Sequence, residues 1–302
     1  MMPLDPCKAE LRLCSRLQLS GEEAEYLIAA MRAGRSSRPA VVLTALAPDD
    51  YRPPFRCVDT SGWSWLPPRV FVPEEGESPT AHADYSSGLY YSLDLSSCWE
   101  SAALAEVATP QYSLDLCAAP GGKTMLMKAR FPSVCHVANE VNAARRGILR
   151  QNLKQCGLSE VELTGLRPDQ WVTEGRNFDL LLVDAPCSGQ SLLCKGIRNP
   201  GCLGAQMVNG NAKRQKGILL AAVQYVAPGG HILYTTCTYD PDENEKVMSY
   251  ILRRVPGWEA VEVPSLHHFR SNLCDFPAYR LLPQQSFGAG GFCCLLRKIK
   301  IN

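Results

Sequence analysis

The chain has 302 residues, 46% of them hydrophobic and 20% charged, with a formal net charge of +1. That length accommodates one large or two smaller domains, and that balance excludes global disorder. The longest apolar run, about 11 residues from Gly217 to Ala227, is too short to span a bilayer, and the start MMPLDPCKAE lacks the basic and apolar regions of a secretory signal, so a cytoplasmic protein without membrane contact is expected.

The first 105 or so residues read as irregular. A helix is expected over Gly21–Arg32, with Ser20 as its N-cap and Glu22, Glu23 and Glu25 in the first turn, where the helix dipole favours acids. From Pro48 to Pro79 proline, tryptophan and glycine dominate, which suggests loops and short strands wrapped on another body. A further helix is expected from a cap at Ser96 or Ser97 to about Val107.

From Tyr112 the pattern becomes regular. Apolar runs at 113–117, 134–140, 161–165, 178–184, 231–237, 258–263 and 291–299 are interleaved with helical stretches near 122–130, 142–156, 211–226 and 243–254. Strands alternating with helices predict an α/β fold built on a doubly wound, mostly parallel seven-stranded sheet. Residues 1–105 would form a short N-terminal extension and 106–302 the sheet domain.

The 14 cysteines include no CxxC pair, and the five histidines do not fall at zinc-finger spacing. Reduced thiols and no metal are therefore expected. Charge is unevenly spread. Residues 1–100 hold nine Lys/Arg against 14 Asp/Glu, whereas 185–239 hold no acid but contain Lys195, Arg198, Lys213, Arg214 and Lys216. Such a stretch suits phosphates, or is a solvated face.

Doubly wound sheets bind ligands at the carboxyl ends of their strands. The first run ends in Cys117-Ala118-Ala119-Pro120-Gly121-Gly122-Lys123, a loop of small residues before a helix. It lets a nucleotide-like ligand approach the backbone, or it is a tight structural turn. It is neither a Walker A loop nor a GxGxxG turn. Glu140 follows Gly121 by 19 residues, the place of a ribose-binding acid in dinucleotide folds, although a carboxylate serving the helix dipole fits there too. Two further runs end in Asp184-Ala185-Pro186-Cys187 and Thr235-Thr236-Cys237. If these strands are neighbours, about 4.8 Å apart, the two thiols face one another beside Asp184; the alternative is a pair of core cysteines.

DLCAAPGGKT, VDAPCSGQS and YTTCTYDPDENEKV, in that order, resemble the RsmB/Sun-type family of S-adenosylmethionine-dependent RNA (cytosine-5)-methyltransferases. YYSLDLSS and GAGGFCCLLR resemble the segments that open and close that family's core, so the likeness covers about 85–300. It implies a Rossmann-like class I methyltransferase fold, S-adenosylmethionine as cofactor and ribosomal or transfer RNA as partner.

The resemblance also implies roles. Cys237 is the thiolate that adds to cytosine carbon 6, Cys187 assists product release, Asp184 bonds to the base edge, and Lys123 lies beside them. Cys117 to Lys123 wrap the methionine part of the cofactor, Glu140 holds the ribose, and Asp184 borders the same pocket. The family's adenine-reading acid has no match in its usual context, and Asp169 in Gly165-Leu166-Arg167-Pro168-Asp169 is the nearest candidate. Lys195, Arg198, Lys213 and Arg214 would contact RNA, and the short N-terminal segment would be a reduced RNA-binding region. A non-catalytic RNA-binding or assembly factor with the same fold is the alternative. Retention of Cys187, Cys237, Asp184 and Lys123 together argues against it. The missing GxGxxG and the two thiols argue against a nucleotide-dependent oxidoreductase.

Overall fold

The computed structural model describes residues 5–299, so the extreme ends of the two sequence-defined segments lie outside the described residues. The chain opens with helices α1 (Lys8–Arg16) and α2 (Gly21–Ala33). Ser20 occupies the N-cap of α2, but its side chain makes no capping bond. The helix stops at Gly34, which takes the left-handed conformation at φ 62° and lies against Gly196. A Cβ on Gly34 would sit 2.6 Å from the Gly196 Cα, so two backbones meet where a side chain has no room.

Strands β1 (Pro39–Leu43), β2 (Val70–Phe71) and β3 (Tyr90–Asp94) form a small antiparallel sheet in the order β2-β1-β3. A short helix, α3 (Ala83–Ser86), precedes β3. The helix expected from Ser96 or Ser97 is α4 (Leu95–Glu100), continued by a 3₁₀ segment, Ser101–Glu106. Its cap is Asp94, two residues before Ser96 and three before Ser97: the Asp94 Oδ1 accepts from the Ser96 backbone N–H at 3.1 Å. A carboxylate ending a strand satisfies the first orphan amides better than the serines that follow it.

The main sheet holds β4 (Tyr112–Asp115), β5 (Cys135–Asn139), β6 (Glu162–Thr164), β7 (Phe178–Asp184), β8 (Val226–Thr236), β9 (Trp258–Ala260), β10 (Tyr279–Leu281) and β11 (Gly291–Lys298). Its order is β10-β11-β8-β7-β4-β5-β6, with β9 paired to β11. Strands β4 to β8 run parallel, while β9, β10 and β8 are antiparallel to β11. Seven strands thus form one path and β9 is an eighth beside it. β10 carries no alternating pattern long enough to read from sequence.

Helices α5 (Gly122–Arg130), α6 (Ala143–Gln155), α7 (Pro168–Glu174), α8 (Ser191–Cys194), α9 (Ala205–Ala222) and α10 (Glu245–Arg254) connect the strands. α9 starts six residues before the expected 211, because the polar Gln206-to-Gln215 half turns only Val208, Ala212 and Gln215 inward. Leu180 to Val183 of β7 are fully buried, as befits a central strand covered on both faces. One apolar cluster joins Ala40 and Val42 of β1 and Trp99 of α4 to Met125 and Leu126 of α5 and Leu182 of β7. The first hundred residues therefore share a core with the sheet domain.

β4 is the switch point: β5 leaves on one side and β7 lies on the other. A crevice at the carboxyl end of such a pair is where a doubly wound sheet takes its ligand.

Candidate active site

The strand ends bring together residues far apart in the chain. β7 and β8 are parallel neighbours with Asp184 opposite Thr235. That register carries the loops beyond them to the same side, and Cys187 Sγ lies 3.3 Å from Cys237 Sγ. All 14 cysteines are free thiols.

Asp184 Oδ1 accepts from Thr235 Oγ1 at 2.9 Å and lies 2.7 Å from Lys123 Nζ. The same Nζ lies 2.7 Å from Glu100 Oε2. Lys123 and Glu100 are buried, whereas the Asp184 side chain keeps 35% of its surface exposed. The arrangement is one cation between two carboxylates, the outer of which is open to a ligand.

Burial alone disfavours the Lys123 ammonium, but Asp184 and Glu100 outweigh it and hold its pKa above the ordinary lysine value. Burial pushes Glu100 up to about 8 despite Lys123. Burial likewise pushes Asp115, at the end of β4, up to about 7, although it accepts a 2.6 Å bond from Thr124 Oγ1. The hydrogen bond from Cys187 lowers the Cys237 thiol, burial and Asp184 oppose this, and Lys123 and Lys195 reinforce it. Cys187 is raised by the same bond and by burial. The pair is therefore asymmetric, with Cys237 the more acidic thiol.

A second tier holds the two cysteine loops. Glu243 accepts from the Ser188 backbone N–H at 2.8 Å and from Gln215 Nε2 at 3.0 Å, and Gln215 Nε2 also donates to the Pro186 carbonyl at 3.0 Å. Ser188 and Thr238 join the loops through their hydroxyls at 2.8 Å. Asn244 accepts from Thr236 Oγ1 and donates to the Thr238 carbonyl at 2.9 Å.

The small-residue loop follows β4. Gly121 has φ 118° and caps α5, so the loop turns directly into a helix N-terminus. The Ala119–Pro120 peptide is cis. Glu140 ends β5, buried, with Oε1 accepting from the Asn142 N–H at 2.8 Å and Oε2 3.2 Å from Arg145. Buried Asn139 ties three strand ends together, donating to the Leu116 and Leu166 carbonyls and accepting from the Leu166 N–H. Asp169 is placed differently from these. It lies in the first turn of α7 with 68% of its side chain exposed, paired with Arg167 at 3.1 Å. Among the proposed RNA contacts, Lys195 sits 3.5 Å from Asp94, while Arg198, Lys213 and Arg214 are exposed.

Five supporting residues escaped the sequence reading: Glu100, Asn139, Gln215, Glu243 and Asn244. Glu243 and Asn244 lie inside the DPDEN segment after Cys237, where clustered polar residues were a signal. Glu100 was visible as a lone acid in CWESAALA.

The strand order, with its ligand-facing loops at the β4 switch point, defines a class I methyltransferase fold. A family model described as 16S rRNA methyltransferase RsmB/F matches residues 102–297, and the chain belongs to that family. Ribosomal RNA small subunit methyltransferase F of Citrobacter koseri is 34% identical over 222 residues, covering 67% of this chain and 44% of that protein. The protein of the same name from Klebsiella pneumoniae is 31% identical over 232 residues, covering 71% and 47%. The chain thus spans about half the length of the curated relatives it matches. Among solved structures, a methyltransferase homolog protein from Pyrococcus horikoshii superposes with a TM-score of 0.75 at 22% identity, covering 97% of this chain and 100% of that one. NSun6 from Pyrococcus horikoshii with SFG gives a TM-score of 0.73 at 16% identity, covering 98% and 99%. At these identities the superpositions establish the fold.

Proposed function

We propose that this protein methylates carbon 5 of a cytosine in RNA, with ribosomal RNA the favoured substrate and S-adenosylmethionine the methyl donor. The observation that carries this reading is the contact between Cys187 and Cys237 beside Asp184 and Lys123.

The residues present suit that donor. The loop from Cys117 to Gly122 offers backbone groups and a helix N-terminus to a carboxylate. Glu140 and Asp184 flank it from the ends of β5 and β7, and the ribose would take Glu140 in exchange for its present contact with Arg145. The bound donor supplies an electrophilic methyl carbon on a sulfonium. The exposed Asp169 and its Arg167 partner favour an adenine pocket built instead from the Gly165–Leu166 backbone that Asn139 holds.

Cytosine carbon 5 is a weak nucleophile. Addition of the Cys237 thiolate to carbon 6 makes carbon 5 an enamine carbon that attacks the methyl group. Asp184 meets the base edge near N3 and the amino group, where charge develops during addition. Lys123 keeps Asp184 in place from behind. After methyl transfer, loss of the carbon 5 proton and cleavage of the sulfur–carbon 6 bond restore Cys237. Cys187, whose thiol lies 3.3 Å from Cys237, would assist that elimination. The target base must leave its stack to reach these groups. Arg198, Lys213 and Arg214 would contact the RNA backbone near the base, and the N-terminal segment would add to this surface.

Bisulfite sequencing of RNA from cells with and without the gene tests the reading. A cytosine that loses its methyl group, regained with the wild-type chain but not with Cys237→Ala, is expected. Retained methylation with Cys237→Ala would remove the nucleophile assignment. Cofactor binding without any lost cytosine would point to an assembly factor.

A further inference from the structure

Glu100 takes no part in the steps above, yet it is among the most deeply placed charges in the molecule. It ends α4 with 2% of its surface exposed. Its Oε2 holds Lys123 Nζ at 2.7 Å, on the opposite side from Asp184. Its Oε1 fills a slot left by Gly291 at the start of β11, where a Cβ would stand 2.0 Å from that oxygen. A carboxylate here is therefore matched to a glycine nearly two hundred residues away. Burying an ion pair of this kind contributes little net stability compared with apolar packing. Trp99 and Ala103, on either side of it in the chain, and Cys293 of β11 all belong to the apolar core.

The charged and titratable groups that interact with Glu100 are Lys123 from α5, Asp184 from β7, Cys237 beyond β8, Cys98 of its own helix and Cys293 of β11. Those that face Cys237 are Cys187, Asp184, Lys123, Lys195, Tyr239 and Glu100 itself. Lys123 and Asp184 are common to both sets, and Lys123 is the cation between the two carboxylates.

We propose that Glu100 is a positioning residue for the reacting thiol. It pins Lys123 against Asp184 and offsets part of the lysine charge, which sets how strongly Lys123 favours the Cys237 thiolate. The inference rests on the reading of Cys237 as the attacking thiolate. With Glu100 ionised, the trio of Glu100, Lys123 and Asp184 carries one net negative charge; with Glu100 neutral it carries none. As pH rises and Glu100 loses its proton, Cys237 becomes harder to ionise, so the two groups titrate against each other.

The test follows alkylation of Cys237 by iodoacetamide between about pH 6 and 10 in the full chain without RNA, resolved by peptide mass spectrometry. The wild type should give a profile shallower than a single-proton curve. Glu100→Gln keeps an acceptor for Lys123 but removes the charge. Its profile should steepen, with the midpoint about 0.5 to 1 unit lower. Glu100→Asp should restore the shallow shape. Gly291→Ala, which displaces the carboxylate without removing it, should resemble Glu100→Gln and serves as the independent variant if Glu100→Gln does not fold. Profiles of Glu100→Gln or of Gly291→Ala that overlay the wild type would overturn the proposal and leave Glu100 a structural residue. Alkylation needs neither RNA nor methyl transfer, so its result is separate from the identity of the methylated base.

Discussion

Replacing Cys187 with alanine should do two opposite things to the chemistry. The Cys187 and Cys237 sulfurs share a hydrogen bond at 3.3 Å, in which Cys187 must be the donor once Cys237 ionises, and this bond is the largest influence lowering the Cys237 pKa. A hydrogen bond to a charged group contributes about 1.5–3 kcal/mol, and a thiol is a weak donor, so about 1.5 kcal/mol is the appropriate end of that range. Losing this bond raises the Cys237 pKa, and at 1.36 kcal/mol per factor of ten its thiolate at neutral pH falls by up to about tenfold. Lys123 and Lys195 remain and prevent a larger shift. Alkylation of Cys237 in Cys187→Ala should therefore slow about tenfold near pH 7. Cys187→Ser, which restores a donor, should recover most of the rate. In the presence of RNA the same Ala variant should form its adduct slowly and then keep it, giving an RNA–protein band stable in SDS. An unchanged Cys237 alkylation rate in Cys187→Ala would refute the electrostatic reasoning, and absence of the stable band would refute the release role of Cys187.

Stability should fall as pH rises through neutrality. Burial pushes Glu100, Asp115 and Glu243 up to about 8, about 7 and about 7, so the folded chain binds these protons more tightly than the unfolded one. Their contribution is complete below the ordinary carboxylate range and is lost as pH passes through 7 to 8. The thermal midpoint should drop from about pH 5.5 to about pH 8.5, and a rise across that window would contradict the burial of these groups. Gly34→Val should cost about 1–3 kcal/mol in urea unfolding, because a Cβ there meets the Gly196 backbone at 2.6 Å and φ is positive; an unchanged midpoint would show that the contact yields freely. Leu182→Ala, in the fully buried middle of β7, should cost about 2–5 kcal/mol by the same measurement. Replacing Arg198, Lys213 and Arg214 together with alanine should reduce the slope of log Kd against log salt by about 2 if all three meet phosphates of single-stranded RNA, and an unaltered slope would exclude them from the interface.

The strands that build the catalytic face were readable because burial on both sides makes them continuous apolar runs, such as FDLLLVD over 178–184. The thiol pair was readable for a related reason: two cysteines at the ends of adjacent parallel strands must meet if the register is even. β1 and β2 were hidden in a proline-rich text, since PAVVL and VF are too short to show a period. Glu100 stood out as a lone acid, but its pairing was hidden because Lys123 is brought to it by the packing of α4 on α5, which no local spacing encodes. Asp169 was reached only through the family resemblance, and the structure sets it in the first turn of α7, exposed and paired with Arg167.

The wall shared by the small antiparallel sheet and the main one bears on how this protein can be cut and recombined. A fragment beginning at residue 106 would strip Lys123 of one of its two carboxylates, leave Met125 and Leu126 without Val42 and Trp99, and remove the Asp94 carboxylate beside Lys195. Such a fragment would keep both cysteines and the small-residue loop and lose the support behind them. Chimeras that exchange the N-terminal segment therefore need to carry β1, β3 and α4 with the sheet domain. The helical pair before residue 35 is tied in as well: Leu27 and Met31 share a core with Cys194 and Tyr239, and Arg16 pairs with Asp240.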